Sequence, residues 1–111
     1  MMDRRSRRSL DPAEALNLFL EASRKRLGVG ALTLSLPDGS VVAGAGAHVE
    51  SVAAMGSWVD RDPDCPPRIA ARVATWRLRF DNTDLLLTSH GGRLSADLGE
   101  GVRRILGRRV G

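Results

Sequence analysis

The sequence predicts an α/β protein built in three layers: a mainly antiparallel sheet of four to five strands with helices on both of its faces. Three observations carry this. Residues 30–36 alternate as a strand and pass through Pro37-Asp38-Gly39 into a second strand, Val41-Val42-Ala43. Val41-Val42-Ala43 and Leu85-Leu86-Leu87 are apolar on both faces, as strands covered from both sides are. Amphipathic helical stretches open the chain, interrupt it after the first hairpin and close it. The predicted order is α-β-β-α-β-β(-β)-α.

The first helix starts at Asp11, a capping residue, with Pro12 at its first position and Glu14 completing a capping box. Leu16, Phe19, Leu20, Ser23 and Leu27 then share one face, and Gly28 supplies the stop. In the strand that follows, Leu32, Leu34 and Leu36 face one way and Ala31, Thr33 and Ser35 the other. Proline, aspartate and glycine at 37–39 each favour a tight turn for a different reason: a fixed φ, a side chain that bonds the nearby backbone, and freedom at positive φ. Gly44-Ala45-Gly46 reads as a flexible joint to the next helix. Val49 stands where a dinucleotide fingerprint needs its third glycine, and no Lys-Ser/Thr pair completes a P-loop.

The second helix, His48 to Val59, has apolar residues on two flanks. Val49, Val52, Ala53 and Gly56 form one stripe, while Met55 and Trp58 lie three apart on another. A helix of this kind in a small domain packs on its sheet with one side and meets a partner with another, and Ala53, Ala54 and Gly56 are small enough to permit close approach. Residues 60–67 read as a Pro-rich loop. Asp60, Asp62 and Asp64 alternate like the start of a calcium loop, but Cys65 stands where glycine is required and Ala71 where glutamate is. Ile69 to Phe80 reads as one strand or two, with Trp76, Leu78 and Phe80 inward and Arg77 and Arg79 outward. After the turn at 81–84 and the strand through Leu85-Leu86-Leu87, Ser95 caps a last helix whose buried stripe is Leu98, Val102, Ile105 and Leu106.

At 111 residues the chain makes one domain, residues 10–111, which buries roughly two-thirds of its unfolded surface, behind a basic arm at 1–9. The net charge of +4 is concentrated in that arm: Arg4, Arg5, Arg7 and Arg8 against Asp3 give +3, which leaves +1 for the rest. The arm is the candidate electrostatic contact for nucleic acid or an acidic partner. Tyrosine is absent and there are two Trp and two Phe, too few to line a stacking platform for single strands. One cysteine provides neither a disulfide framework nor a metal cluster. Neither histidine, His48 or His90, falls in a triad or ligand pattern, so the reading is of a non-enzyme without cofactor or metal. No apolar run spans a bilayer and no h-region follows the charged N-terminus, which gives the expectation of a cytoplasmic protein.

The hairpin with Pro37-Asp38-Gly39 and Val41-Val42-Ala43-Gly44, the alanine-rich helix after it, Asp84-Leu85-Leu86-Leu87-Thr88, Gly91-Gly92 and the closing helix together resemble the roadblock (dynein light chain) family. The resemblance is one of layout and hydrophobic pattern over Leu10 to Val110. It implies a profilin-like fold and a small, non-catalytic homodimer that pairs through its second helix and an edge strand. In bacteria and archaea many such proteins bind or regulate small Ras-like GTPases. The positions matching the dimer surface are Val49, Val52, Ala53, Gly56, Val73 and Thr75, beside the independently noted Met55 and Trp58. The competing reading is a nucleic-acid-associated protein using the arm and the arginines of the last helix. A small sensor domain of related fold is a third, and needs a ligand pocket.

Overall fold

The computed structural model describes residues 12–91 and 94–108. In chain order these form α1 (Pro12–Leu27), β1 (Ala31–Ser35), β2 (Val41–Gly46), α2 (Val49–Arg61), a single helical turn α3 (Pro67–Ala70), β3 (Val73–Phe80), β4 (Thr83–His90) and α4 (Ala96–Arg108). The four strands make one antiparallel sheet in the order β2-β1-β4-β3. The predicted α/β class and element order are therefore found, with two strands after α2. The Asp11 cap lies outside the described residues.

The two faces of the sheet are chemically different. On one, Leu32, Leu34, Leu78, Leu85 and Leu87 meet Leu16 and Leu20 of α1 and Leu98, Val102 and Ile105 of α4. These side chains fall at spacings of two along the strands and three or four along the helices, which is why one face collects them. Gly101 of α4 lets Phe19 of α1 lie against the helix backbone; a Cβ there would sit 2.2 Å from the Phe19 ring. The other face carries Ala31, Thr33, Ser35 and Thr88, all fully buried, and α2 lies across it. Leu86 is also fully buried, so β4 is covered on both sides as its apolar run predicts.

The first hairpin closes as its residues require. Gly39 N–H donates to Leu36 O at 2.9 Å with Gly39 at φ +94°, and Ser40 N–H donates to Asp38 Oδ1 at 2.9 Å. That backbone bond holds the Asp38 carboxyl below the usual carboxylate range. The Ser57 hydroxyl of α2 donates to Pro37 O at 2.6 Å, which pins the helix to the turn.

Several expectations are corrected. Gly44-Ala45-Gly46 is not a joint: it continues β2, with Gly44 opposite Thr33 and Gly46 opposite Ala31. Glycine is needed at 44 because a Cβ would come within 2.6 Å of Val49 Cγ1. β2 is an edge strand, so Val41 and Val42 remain exposed instead of covered on both sides. The loop expected at 60–67 is shorter, since α2 runs to Arg61 and Pro67, whose fixed φ suits a first helical position, opens α3. The strand expected from Ile69 therefore begins at Val73. Trp76 shares a face with Leu78 and Phe80, but on an edge strand it stays 40% exposed.

The tightest contact in the α2 layer is Gly56 over Thr88, where an added Cβ would lie 2.1 Å from Thr88 Oγ1. Gly56→Ala should lower stability by about 1–3 kcal/mol through overpacking; urea denaturation measures this, and part of the loss should return in a Thr88→Ala background. Ser35 Oγ is buried with no hydrogen-bond partner. Ser35→Ala should therefore be neutral or stabilising by up to about 1 kcal/mol, and a clear loss of stability in the same titration would contradict that account.

Candidate interaction surface on α2 and β3

The residues predicted to meet a partner separate into two groups. Val52, Ala53, Gly56 and Val73 are buried within the chain itself: Val52 packs on Ala31 and Val73, while Gly56 abuts Thr88. Their side chains are spent on the sheet, so the stripe through Val52, Ala53 and Gly56 is the helix's inward face and not an outward one. Val49, Met55 and Thr75 are half-buried, and Trp58 is 36% exposed. Arg4, Arg5, Arg7 and Arg8 lie outside the described residues.

What remains accessible is a flank rather than a stripe. Met55 and Val59 pack half-buried against Ala31, Val52 and Val73, on the β3 side of α2. Trp58, three residues after Met55, continues that side outward. Its indole N–H donates to Asp62 Oδ2 at 3.2 Å, which fixes the ring at the helix end. Next to this flank, β3 pairs with β4 alone, and among the described residues no hydrogen bond reaches its outer side. Trp76 projects from the opposite face of the same strand and is 40% exposed, while Trp58, two residues after the sheet-seated Gly56, faces away from the sheet. Aromatic side chains that are rigid and incompletely buried are typical anchors of protein interfaces.

The opposite edge of the sheet is arranged otherwise. Gly44 N–H, on the outer side of β2, donates to Asn17 Oδ1 of α1 at 2.9 Å. The Arg24 side chain runs past Gly46, and α1 lies along the strand.

Charge on the open edge is compensated locally. Arg77 donates through Nη2 and Nε to Asp60, the penultimate residue of α2, and through Nη1 to Asp84 of β4 at 2.8 Å. The hydrogen bond to Asp60 is the main reason the guanidinium holds its proton more tightly than usual, with the two carboxylate charges adding to it. Arg79 lies 3.7 Å from Asp84. Sequence reasoning missed this bridge. The turn expected at 81–84 hides it: the structure turns at 81–82, with β4 starting at Thr83, which places Asp84 opposite Arg79 and diagonal to Arg77, and the Asp60 contact depends on where α2 ends, which no local signal gives.

Other possible sites are modest. Among the described residues no group of three or more His, Cys, Asp or Glu could hold a metal, and no helix is long and apolar enough to cross a membrane. His48 caps α2 in the left-handed region at φ 57° without a side-chain cap bond, and His90 is exposed at the end of β4. An open apolar cleft of about 180 Å³ is lined by Leu34, Val42, Phe80, Asp81, Thr83, Leu85 and Leu106. It is smaller than the ~300–1,000 Å³ usual for small-molecule sites. Compared with known protein families, curated proteins and solved structures, the chain matches none of them.

The Arg77 bridge ties the end of α2 to the edge strand. Arg77→Ala should speed amide hydrogen exchange at Asp62, whose N–H closes the helix on Trp58 O, and leave the β1–β2 hairpin unchanged. Equal acceleration at both places would show that the bridge has no local tethering role.

Proposed function

We propose that this chain is a cytoplasmic, non-catalytic interaction module that associates with a second copy through the β3 edge and the Met55–Trp58–Val59 flank, and that it binds or regulates a small Ras-like GTPase or its complex. The observation that carries the first part is the asymmetry of the sheet. One edge has an outer N–H occupied by Asn17, whereas the other is unpaired and carries the half-exposed Trp76. An unpaired strand is a template for addition of another strand. The GTPase part is supported by the resemblance of the α-β-β-α-β-β-α layout and hydrophobic pattern to roadblock proteins.

Light scattering should give twice the 12.0 kDa of one chain. Trp58→Asp, which places a charge on the exposed flank and leaves the buried stripe intact, should weaken association about tenfold or more, as loss of an aromatic anchor commonly does. A monomeric parent, or a variant as tightly associated as the parent, would sink the proposed surface. For the GTPase part, small Ras-like GTPases of the same genome, loaded with GDP or a GTP analogue, are titrated against the chain by calorimetry. Absence of binding in either nucleotide state at tens of micromolar would remove that part and leave the self-association reading standing.

A further inference from the structure

The described chain begins beside the apolar cleft, as contacts on two sides of α1 establish. Asn17 of α1 receives the Gly44 N–H of β2, and Arg24 lies by Gly46, so α1 runs alongside β2 in the same direction. The five residues from Asn17 back to Pro12, at about 1.5 Å each, match the two from Gly44 back to Val42, at about 3.3 Å each, which sets Pro12 level with Val42. Arg26 pairs with Asp97 and Phe19 lies on Gly101, so α1 and α4 run antiparallel. The same rise carries Pro12 level with the end of α4, just past Leu106. Val42 and Leu106 are both walls of the cleft, so whatever precedes Pro12 enters the domain there.

The cleft suits one large apolar side chain. A cavity of about 150 Å³ lined by Leu, Ile and Phe holds a benzene-sized group, and this one measures about 180 Å³. Leu10 is the apolar residue that the chain brings nearest: it stands two positions before Pro12, a reach of about 7 Å. Met1 and Met2 are the only other large apolar residues before the helix. Charge on the rim fits the same segment. Asp81 is exposed there and belongs to none of the ion pairs among the described residues, while Arg7 and Arg8 stand three and two positions before Leu10.

We propose that this chain's own N-terminal segment occupies the cleft, with the Leu10 side chain between Val42, Phe80 and Leu106 and the arginines at 7 and 8 beside Asp81. This docking does not depend on self-association, because the cleft lies on the α1–α4 face of the sheet, opposite α2. Seated there, the segment covers the cleft and withholds its arginines from nucleic acid or another acidic partner.

The test is a disulfide trap in a Cys65→Ser background that keeps Leu10 in place. Ser9→Cys is combined with Thr83→Cys on the cleft, or with Ser40→Cys on the β1–β2 turn, which leans on Ala54 and Ser57 of α2. Burying a leucine is worth about tenfold or more in an equilibrium. The Ser9→Cys/Thr83→Cys bond should therefore form about tenfold more slowly once Leu10→Ser is added, and the Ser9→Cys/Ser40→Cys bond at an unchanged rate. A cleft bond insensitive to Leu10→Ser, or equal slowing of both bonds, overturns the proposal. Amide chemical shifts of the full chain without added cysteines give a second measurement. Leu10→Ser should move Phe80 and Leu85 and leave Val52 and Val59 of α2 in place. If Val110→Ser moves Phe80 and Leu85 while Leu10→Ser does not, the C-terminal residues occupy the cleft and the proposal falls. If neither variant moves them, the cleft stays open and the proposal falls equally.

Discussion

The contact between Gly56 and Thr88 sets the height of α2 above the sheet, and most of what surrounds the candidate surface follows from it. The face beneath the helix is lined largely by short side chains, Ala31, Thr33, Ser35 and Thr88, with Leu86 opposite Ser35. The threonine hydroxyls are occupied locally: Thr33 Oγ1 donates to Thr88 O at 3.5 Å, and the Thr75 and Thr88 hydroxyls lie 3.4 Å apart. A helix without a side chain at 56 settles directly onto this shallow layer. Ser57 is then near enough to bond Pro37 O, and Met55 and Val59 are brought down against Val73 at the sheet margin. Raising the helix by the width of one methyl group would loosen these contacts together, since close-packed layers transmit such shifts instead of absorbing them.

Much of this was legible in the sequence because periodicity reports burial directly. The spacing of Leu16, Leu20 and Ser23, or of Leu98, Val102 and Ile105, describes a helix face, and the structure buries those residues. Turn chemistry at 37–39 located the hairpin. The two apolar flanks of α2 were also legible, but not their assignment. Val52, Ala53 and Gly56 are small and regularly spaced, a pattern that serves a helix–sheet contact as well as a helix–helix one, and the sheet claims them here. Which strand lies at the edge is a matter of sheet order, a non-local property: β1 pairs with β4 across more than fifty residues. That is why the apolar run of β2 reads as a covered strand, and why alternation alone puts Trp76 inside.

The surface that remains is narrow, and its parts come from different levels of the structure. Trp58 is placed by helical spacing and by its bond to Asp62, Trp76 by strand alternation, and Arg77 by carboxylates from α2 and β4. Rigid elements supply all of them, so the flank is preorganised and little conformational entropy is lost when something covers it. The charged network does more for orientation than for stability, since pairs this accessible to water contribute little net energy.

The bond from Gly44 to Asn17 has a consequence for assembly size. A sheet with two open edges can lengthen without limit, each added chain offering a fresh edge to the next, and the product is a fibre. Here α1 obstructs one end of every chain's sheet. Joining the remaining free ends leaves nothing further to propagate from. Under the proposed self-association, growth by strand addition would stop at a pair, because α1 lies along the edge that would otherwise continue it.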